Sequence, residues 1–228
     1  MTNELLWFLM LTATFVSVIL LYRTMGKVGL FLWIPVSVII ANIQVVKTIT
    51  LFGLTATLGN IVYASTFLVT DILSEIYGTR EARKAVVMGF VSLLAMIVLT
   101  QFALWFVPGP DDFSQEHLEA IFSLMPRIVL ASLVAYLVSQ FHDVWAFHFW
   151  KERFPSWLWF RNNASTMVSQ LLDSAIFSFL AFTGVYPFGV VVEIAVTTYL
   201  FKWIVAALDT PFLYLATWLR RRDLVPGE

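Results

Sequence analysis

Apolar residues fill the chain in long blocks separated by short polar breaks. Seven of the blocks approach the roughly 20 residues that a helix needs to cross about 30 Å of hydrocarbon. They run over 5–22, 29–46, 56–77, 85–107, 127–149, 164–184 and 188–219, and each is predicted as a transmembrane helix. The first has the length of a secretory signal, yet nothing basic precedes it and Arg23 and Lys27 follow it, so it is expected to remain as a helix of the folded chain. Pro35 lies inside the second block and Pro211 inside the last, which is longer than hydrocarbon requires. A kink or break is therefore expected near Asp209-Thr210-Pro211. Lys47 to Gly59, rich in Thr and Gly, reads as a short outer connection able to dip into the protein.

The polar breaks orient the chain. Arg23 and Lys27, then Arg80, Arg83 and Lys84, then Lys151, Arg153 and Arg161, and last Arg220, Arg221 and Arg222 occupy alternate connections. The positive-inside bias assigns all four groups to the cytoplasm, with the N-terminus outside and the C-terminus inside. Six or eight crossings would break that alternation. The longest intervening connection, Pro108 to Ser123, is instead acidic, with Asp111, Asp112, Glu116 and Glu119.

Composition fits the pattern. The chain is 60% hydrophobic and 13% charged, against roughly 45–50% and 25% for a soluble domain, so it is read as an all-α integral membrane protein. A net charge of -1 gives no case for a nucleic-acid partner. No cysteine is present, which excludes disulfide and thiolate chemistry and leaves the compartment unread from redox usage. Trp145, Trp150, Trp157 and Trp159, close to cytoplasmic basic residues, read as an interfacial aromatic belt.

Candidate chemistry lies where polar residues recur inside apolar blocks. In Ser65 to Gly78, Asp71 and Glu75 are four apart and share a helix face. A charge at the centre of a membrane helix costs roughly 2.5–3.5 kcal/mol on insertion scales, so the pair needs partners or water. Glu75 lies within a turn of the cytoplasmic interface, where Arg80, Arg83 and Lys84 are able to answer it. Asp71 lies deeper and is the stronger candidate for touching a substrate. The sixth block carries Thr166, Ser169, Gln170 and Asp173 at i, i+3, i+4 and i+7. In the seventh, Thr198, Lys202 and Asp209 fall near one face, with Tyr199 and Glu193 close by. The fifth brings Arg127, Tyr136, Gln140 and Asp143, and the second ends in Asn42 and Gln44, with Lys47 just after. Together these stripes are able to line one polar cavity.

The bland alternative is that they hold helix to helix, a task small polar side chains perform without charge. Lys202 would then pair with Asp173 or Asp209, an arrangement compatible with a substrate route, and Arg127, just after Pro126, suits a structural role as well as a ligand contact. Enzyme readings are weaker. His142 and His148 are six apart and do not share a helical face, and HExxH, GxSxG, P-loop and GxGxxG patterns are absent, so no metal or cofactor is expected.

The residues that carry these stripes resemble the queuosine precursor transporter family, membrane proteins grouped with vitamin-uptake transporters. The resemblance runs from about Ala41 to Trp218. It rests on Ala41-Asn42-Ile43, on Thr70-Asp71-Ile72-Leu73-Ser74-Glu75-Ile76-Tyr77-Gly78, on Arg127 with Tyr136, Gln140 and Asp143, on Ala164-Ser165-Thr166 through Asp173, and on Tyr199 with Lys202. It implies a core of about six helices, similar to the substrate-binding subunits of energy-coupling-factor importers, that moves 7-cyano-7-deazaguanine and 7-aminomethyl-7-deazaguanine across the cytoplasmic membrane of a bacterium. The organisation expected on that basis is an extra N-terminal helix in 1–27, a transporter core in 28–222 and a tail in 223–228.

The chemistry of such a base agrees. A guanine-like edge offers two adjacent donors to a carboxylate and a carbonyl to Asn, Gln or Lys, and its ring gains roughly 1–3 kcal/mol from stacking on an aromatic face. Asp71, Glu75 or Asp173 suits the first role, Asn42, Gln170 or Lys202 the second, and Tyr77 or Tyr199 the stacking. The substrate-binding set expected from the sequence is Asn42, Gln44, Lys47, Asp71, Glu75, Arg127, Gln140, Asp143, Ser169, Gln170, Asp173, Tyr199 and Lys202. The alternative is a binding subunit that needs an ATP-hydrolysing partner complex. Partners compatible with the sequence are the base, membrane lipid, a second copy and an energising complex.

Overall fold

The computed structural model describes residues 2–45, 47–122, 126–184 and 187–226. Residue 46 at the end of the second predicted block, Ser123 at the end of the acidic connection, and residues 227–228 of the tail lie outside the described residues. Within them the order is α1 (Asn3–Met25), α2 (Lys27–Gln44), β1 (Thr48–Leu51), β2 (Leu54–Thr57), α3 (Asn60–Ile76), α4 (Thr79–Trp105), α5 (Gln115–Phe122), α6 (Pro126–Arg153), α7 (Leu158–Phe182) and α8 (Phe188–Arg221). The long helices answer the predicted blocks, and the architecture is all-α apart from one hairpin. By length and composition α1, α2, α4, α7 and α8 are apolar enough to cross a membrane. The shorter α3 and the more polar α6 are not, so seven crossings is an approximate count.

Burial explains the first exception. α3 packs against α1, α2, α4, α6 and α8, and from Ile61 to Ser74 it is buried except at Tyr63. A helix surrounded by protein has no need of a lipid-compatible surface, and so it can carry Thr66, Thr70, Asp71 and Ser74 inward. The outer helices present Phe8, Leu20, Leu99, Leu130 and Leu200 to their surroundings, the surface expected to face lipid. α1 packs on α2, α3 and α8. It buries Trp7, Leu11, Phe15, Val18, Ile19 and Tyr22 in the common core.

The four basic groups gather at one end of the bundle. Lys27 reaches Glu81 at 3.5 Å, Lys27 and Arg220 both approach the Tyr77 ring, and Lys151 joins α6 to the end of α3 through Glu75. Trp150, Phe154, Trp157 and Phe160 pack ring against ring at the same end. The opposite end carries the hairpin, which replaces the irregular connection expected over Lys47 to Gly59. Its turn residues Phe52 and Gly53 both have positive φ, 49° and 78°, the combination that matches the twist of a two-residue hairpin. Asn3 donates to the Thr50 carbonyl at 3.1 Å and the Phe52 N–H donates to Glu4 at 3.3 Å, so the hairpin is tied to the start of α1. The acidic connection forms the short α5, where Asp112 accepts from the N–H and hydroxyl of Ser114, both at 2.7 Å. The Ser114 hydroxyl is the chief reason that the Asp112 carboxyl titrates below its ordinary range.

Two features set the packing. α8 continues unbroken through Pro211, so the break expected there is absent. Proline in a helix interior removes its own N–H bond and crowds the carbonyl four residues back, and side chains from α7 hold the neighbouring Asp209 and Thr210. At Gly89 a Cβ would meet Tyr136 Oη at 1.9 Å and Ile34 Cγ2 at 2.9 Å, and at Gly59 it would lie 2.3 Å from the Ala41 carbonyl oxygen. Small residues let α4 approach α6 and let the start of α3 approach α2, the usual device of membrane helices.

Candidate functional site

A cleft of about 480 Å³ opens between the helices toward the hairpin end. Its rim includes Asn42 and Val45 at the end of α2, with Gly59 and Asn60 at the start of α3. Tyr136 and Phe177 give it aromatic walls, and Tyr63, Asp173 and Lys202 form its polar depth. Asp173 is held from three helices. Tyr63 Oη of α3 donates to its Oδ1 at 2.6 Å, Ser139 Oγ of α6 donates to the same oxygen at 3.1 Å, and Lys202 Nζ of α8 pairs with Oδ2. Lys202 also lies 5.0 Å from the centre of the Tyr63 ring. An ammonium has three donors, and one suffices for Asp173, so the pair presents both a carboxylate and further N–H groups to the cleft.

Below the cleft the polar residues continue as a column. Gln140 donates to Thr66 Oγ1 at 2.6 Å and accepts from Thr70 at 3.4 Å, which fixes its amide between α6 and α3. Next comes Asp71, fully buried, whose Oδ2 accepts from Thr166 at 3.2 Å. The carboxyl of Asp143 faces Asp71 and the hydroxyls of Ser165, Thr166 and Ser169. Asp209 is also buried and accepts from Asn162 Nδ2 at 2.9 Å. Gln170 is fully buried on α7 between Thr166 and Asp173, and neither of its amide atoms has a partner among the described residues.

At the basic end the column is closed by ion pairs. Glu75 accepts from Arg161 at 2.6 Å and pairs with Lys151 at 3.2 Å. Lys151 also donates to the Glu75 carbonyl at 2.6 Å. α3, α6 and α7 are thus joined at the end opposite the cleft mouth. The cations that answer Glu75 come from α6 and α7, whereas the sequence pointed to the nearer Arg80, Arg83 and Lys84.

Of the expected set, Asn42, Asp173 and Lys202 line the cleft. Asp71, Gln140, Asp143, Ser169 and Gln170 are buried in or beside the column, and Glu75 closes it. Ser169 Oγ contacts His142 Nδ1 at 2.9 Å. Of the two partners open to Lys202, it takes Asp173. Arg127 is exposed and donates to the Leu180 and Thr183 carbonyls at the end of α7, at 2.7 and 2.5 Å. Lys47 is exposed, and Gln44 and Tyr199 are partly buried outside the cleft lining. The set omits Tyr63, Ser139, Asn162 and Arg161. Tyr63, Thr66 and Thr70 follow i, i+3, i+7, and Asn162 extends the α7 stripe by one turn, so the helical period that exposes the others reaches these residues as well.

No solved structure matches the chain. A relative from Bacillus subtilis (strain 168), named "Probable queuosine precursor transporter", is 46% identical over an alignment spanning 100% of this chain and 98% of that protein. Residues 57–216, which contain the cleft floor and the whole polar column, match the family model described as "Putative vitamin uptake transporter", and the chain belongs to that family.

Proposed function

We propose that the chain is a transporter importing the queuosine precursors 7-cyano-7-deazaguanine and 7-aminomethyl-7-deazaguanine, and that the base seats in the cleft above Asp173 and Lys202. The observation that carries the reading is the buried Asp173–Lys202 pair at the depth of an open cleft. Asp173 accepts one N–H of the base at the acceptor site left on its Oδ2, and Lys202 donates to the base carbonyl. Asn42, whose Nδ2 is taken up by the Val38 carbonyl at 2.9 Å, offers its side-chain oxygen. Tyr63, Tyr136 and Phe177 face the ring.

The basic end faces the cytoplasm in this reading, by the positive-inside bias, and the membrane is the bacterial cytoplasmic membrane with the N-terminus outside. The cleft is then open outward, while Glu75, Lys151 and Arg161 keep the inner end shut. Inward release requires that network to part as the outer end closes. The reading assigns no chemical conversion to the protein.

The test is uptake of labelled 7-cyano-7-deazaguanine into cells unable to make deazaguanines. Wild-type chain restores uptake, and Asp173→Asn and Lys202→Gln, at matched expression, abolish it. No uptake by the wild type overturns the substrate, and normal uptake by both variants overturns the site. Uptake into vesicles holding only this chain separates autonomous transport from the partner-dependent alternative.

A further inference from the structure

Every cationic group deep in the bundle is already committed, Lys202 to Asp173 and Arg161 with Lys151 to Glu75. Asp71, Asp143 and Asp209 are left between those two ion-pair layers, all buried, with no cation among their described partners. The titratable groups that face Asp71 are Asp143 from α6 and Asp209 from α8, and α7 faces it with the Thr166 hydroxyl. Asp143 is faced by Asp71 and by hydroxyls of α7. The remaining neighbours add nothing ionisable at this depth: α2 carries none beyond Lys27, α4 none beyond Lys84, and α1 only Tyr22 between its ends.

Two carboxylates in contact, away from water and without a counter-cation, cannot both stay ionised. Two further observations point to a small exchangeable ligand at this level. Gln170, one turn from Thr166 on the same face of α7, is fully buried with both amide atoms unpartnered, and Asn162 Oδ1 beside Asp209 is likewise unpartnered. In addition, Asp71 Oδ1 and both carboxylate oxygens of Asp143 have no hydrogen-bond partner among the described residues, and Ser169 Oγ, which donates to the Ser165 carbonyl at 2.8 Å, holds the half-buried ring of His142 nearby at 2.9 Å. Relays of this composition recur in proton-moving membrane proteins.

We propose that Asp71 and Asp143 form a proton-binding site that couples import to the proton gradient, an inference that rests on the transporter reading above. One proton stays in the carboxyl–carboxylate hydrogen bond. A second adds from the outer aqueous phase to a carboxylate oxygen, forming an O–H bond, as the base seats. When the inner end opens that bond breaks, the proton leaves to the inner aqueous phase with the base, and the pair returns singly protonated. One proton and one base cross per cycle, and no electrons are transferred.

The experiment uses full-length chain in proteoliposomes with labelled 7-cyano-7-deazaguanine. Counterflow exchange without any ion gradient reports the substrate reading, and accumulation under an inside-alkaline gradient reports the coupling. Wild-type chain is expected to do both, with accumulation abolished by a protonophore. Asp71→Asn and Asp143→Asn, which lie below the cleft and outside its lining and so are not given the substrate contact expected of them from the sequence, are expected to keep exchange, which shows that they are folded, and to lose gradient-driven accumulation. Exchange in the wild type with no response to the proton gradient, or with a response to a sodium gradient instead, overturns the coupling alone. So does accumulation retained in both variants, or loss of exchange in both. Absence of exchange in the wild type overturns the substrate reading and this inference with it.

Discussion

Asp173 has partners on α3, α6 and α8 at once, so its charge serves the fold as well as the binding role proposed for it. Removing one member of a buried pair leaves the other uncompensated, at a cost of about 3–5 kcal/mol. Lys202→Met is therefore expected to lower the thermal stability of the purified protein markedly, whereas Lys202→Met combined with Asp173→Asn recovers much of the loss. Both variants should fail to bind base. Unfolding in detergent checks this, and two strictly additive losses would contradict it. Asp71, Asp173 and Lys202 were legible in the sequence because a charge inside an apolar block is an energetic anomaly. Tyr63 shares the helical period of Thr66 and Thr70, but an aromatic residue in a membrane helix looks like ordinary core until its hydroxyl is seen to reach Asp173.

At the scale of elements, Gly89 sets the closest approach of α4 to α6. A methyl group there meets the Tyr136 hydroxyl, and overpacking of this kind costs about 1–3 kcal/mol. Gly89→Ala is expected to destabilise the protein, and adding Tyr136→Phe, which removes the clashing oxygen, to restore part of the loss. No relief in the double variant, in the same unfolding assay, would show that the contact is not the cause. The long helices were readable from block length alone. α5 and the hairpin were not, because short polar connections carry little periodic signal. Of the kink or break expected at Pro211 the break is absent, and Asn162 and Asn163 of α7 brace the turn around it.

For the whole molecule, the positive-inside bias predicted that four basic groups share one side, and their mutual contacts at one end of the bundle agree with that grouping. Which end opens was not legible, since it depends on residues far apart in sequence: Glu75 meeting Lys151 and Arg161, and α2 meeting α3 at Gly59. The natural absence of cysteine makes the opening testable. Ser132 lines the cleft, so Ser132→Cys is expected to react with a membrane-impermeant maleimide added outside intact cells. Adding Glu75→Gln should loosen the inner end and reduce that labelling. Equal labelling with and without the change would remove Glu75 from control of the inner end.

Equilibrium binding to the purified chain in detergent decides whether the cleft is a deazaguanine site. Expected is saturable binding of 7-cyano-7-deazaguanine that 7-aminomethyl-7-deazaguanine competes away and adenine, which lacks the donor pair, does not, with Asp173→Asn losing it. No binding by the wild type, or binding unchanged in Asp173→Asn, would contradict the assignment of base to the Asp173–Lys202 cleft.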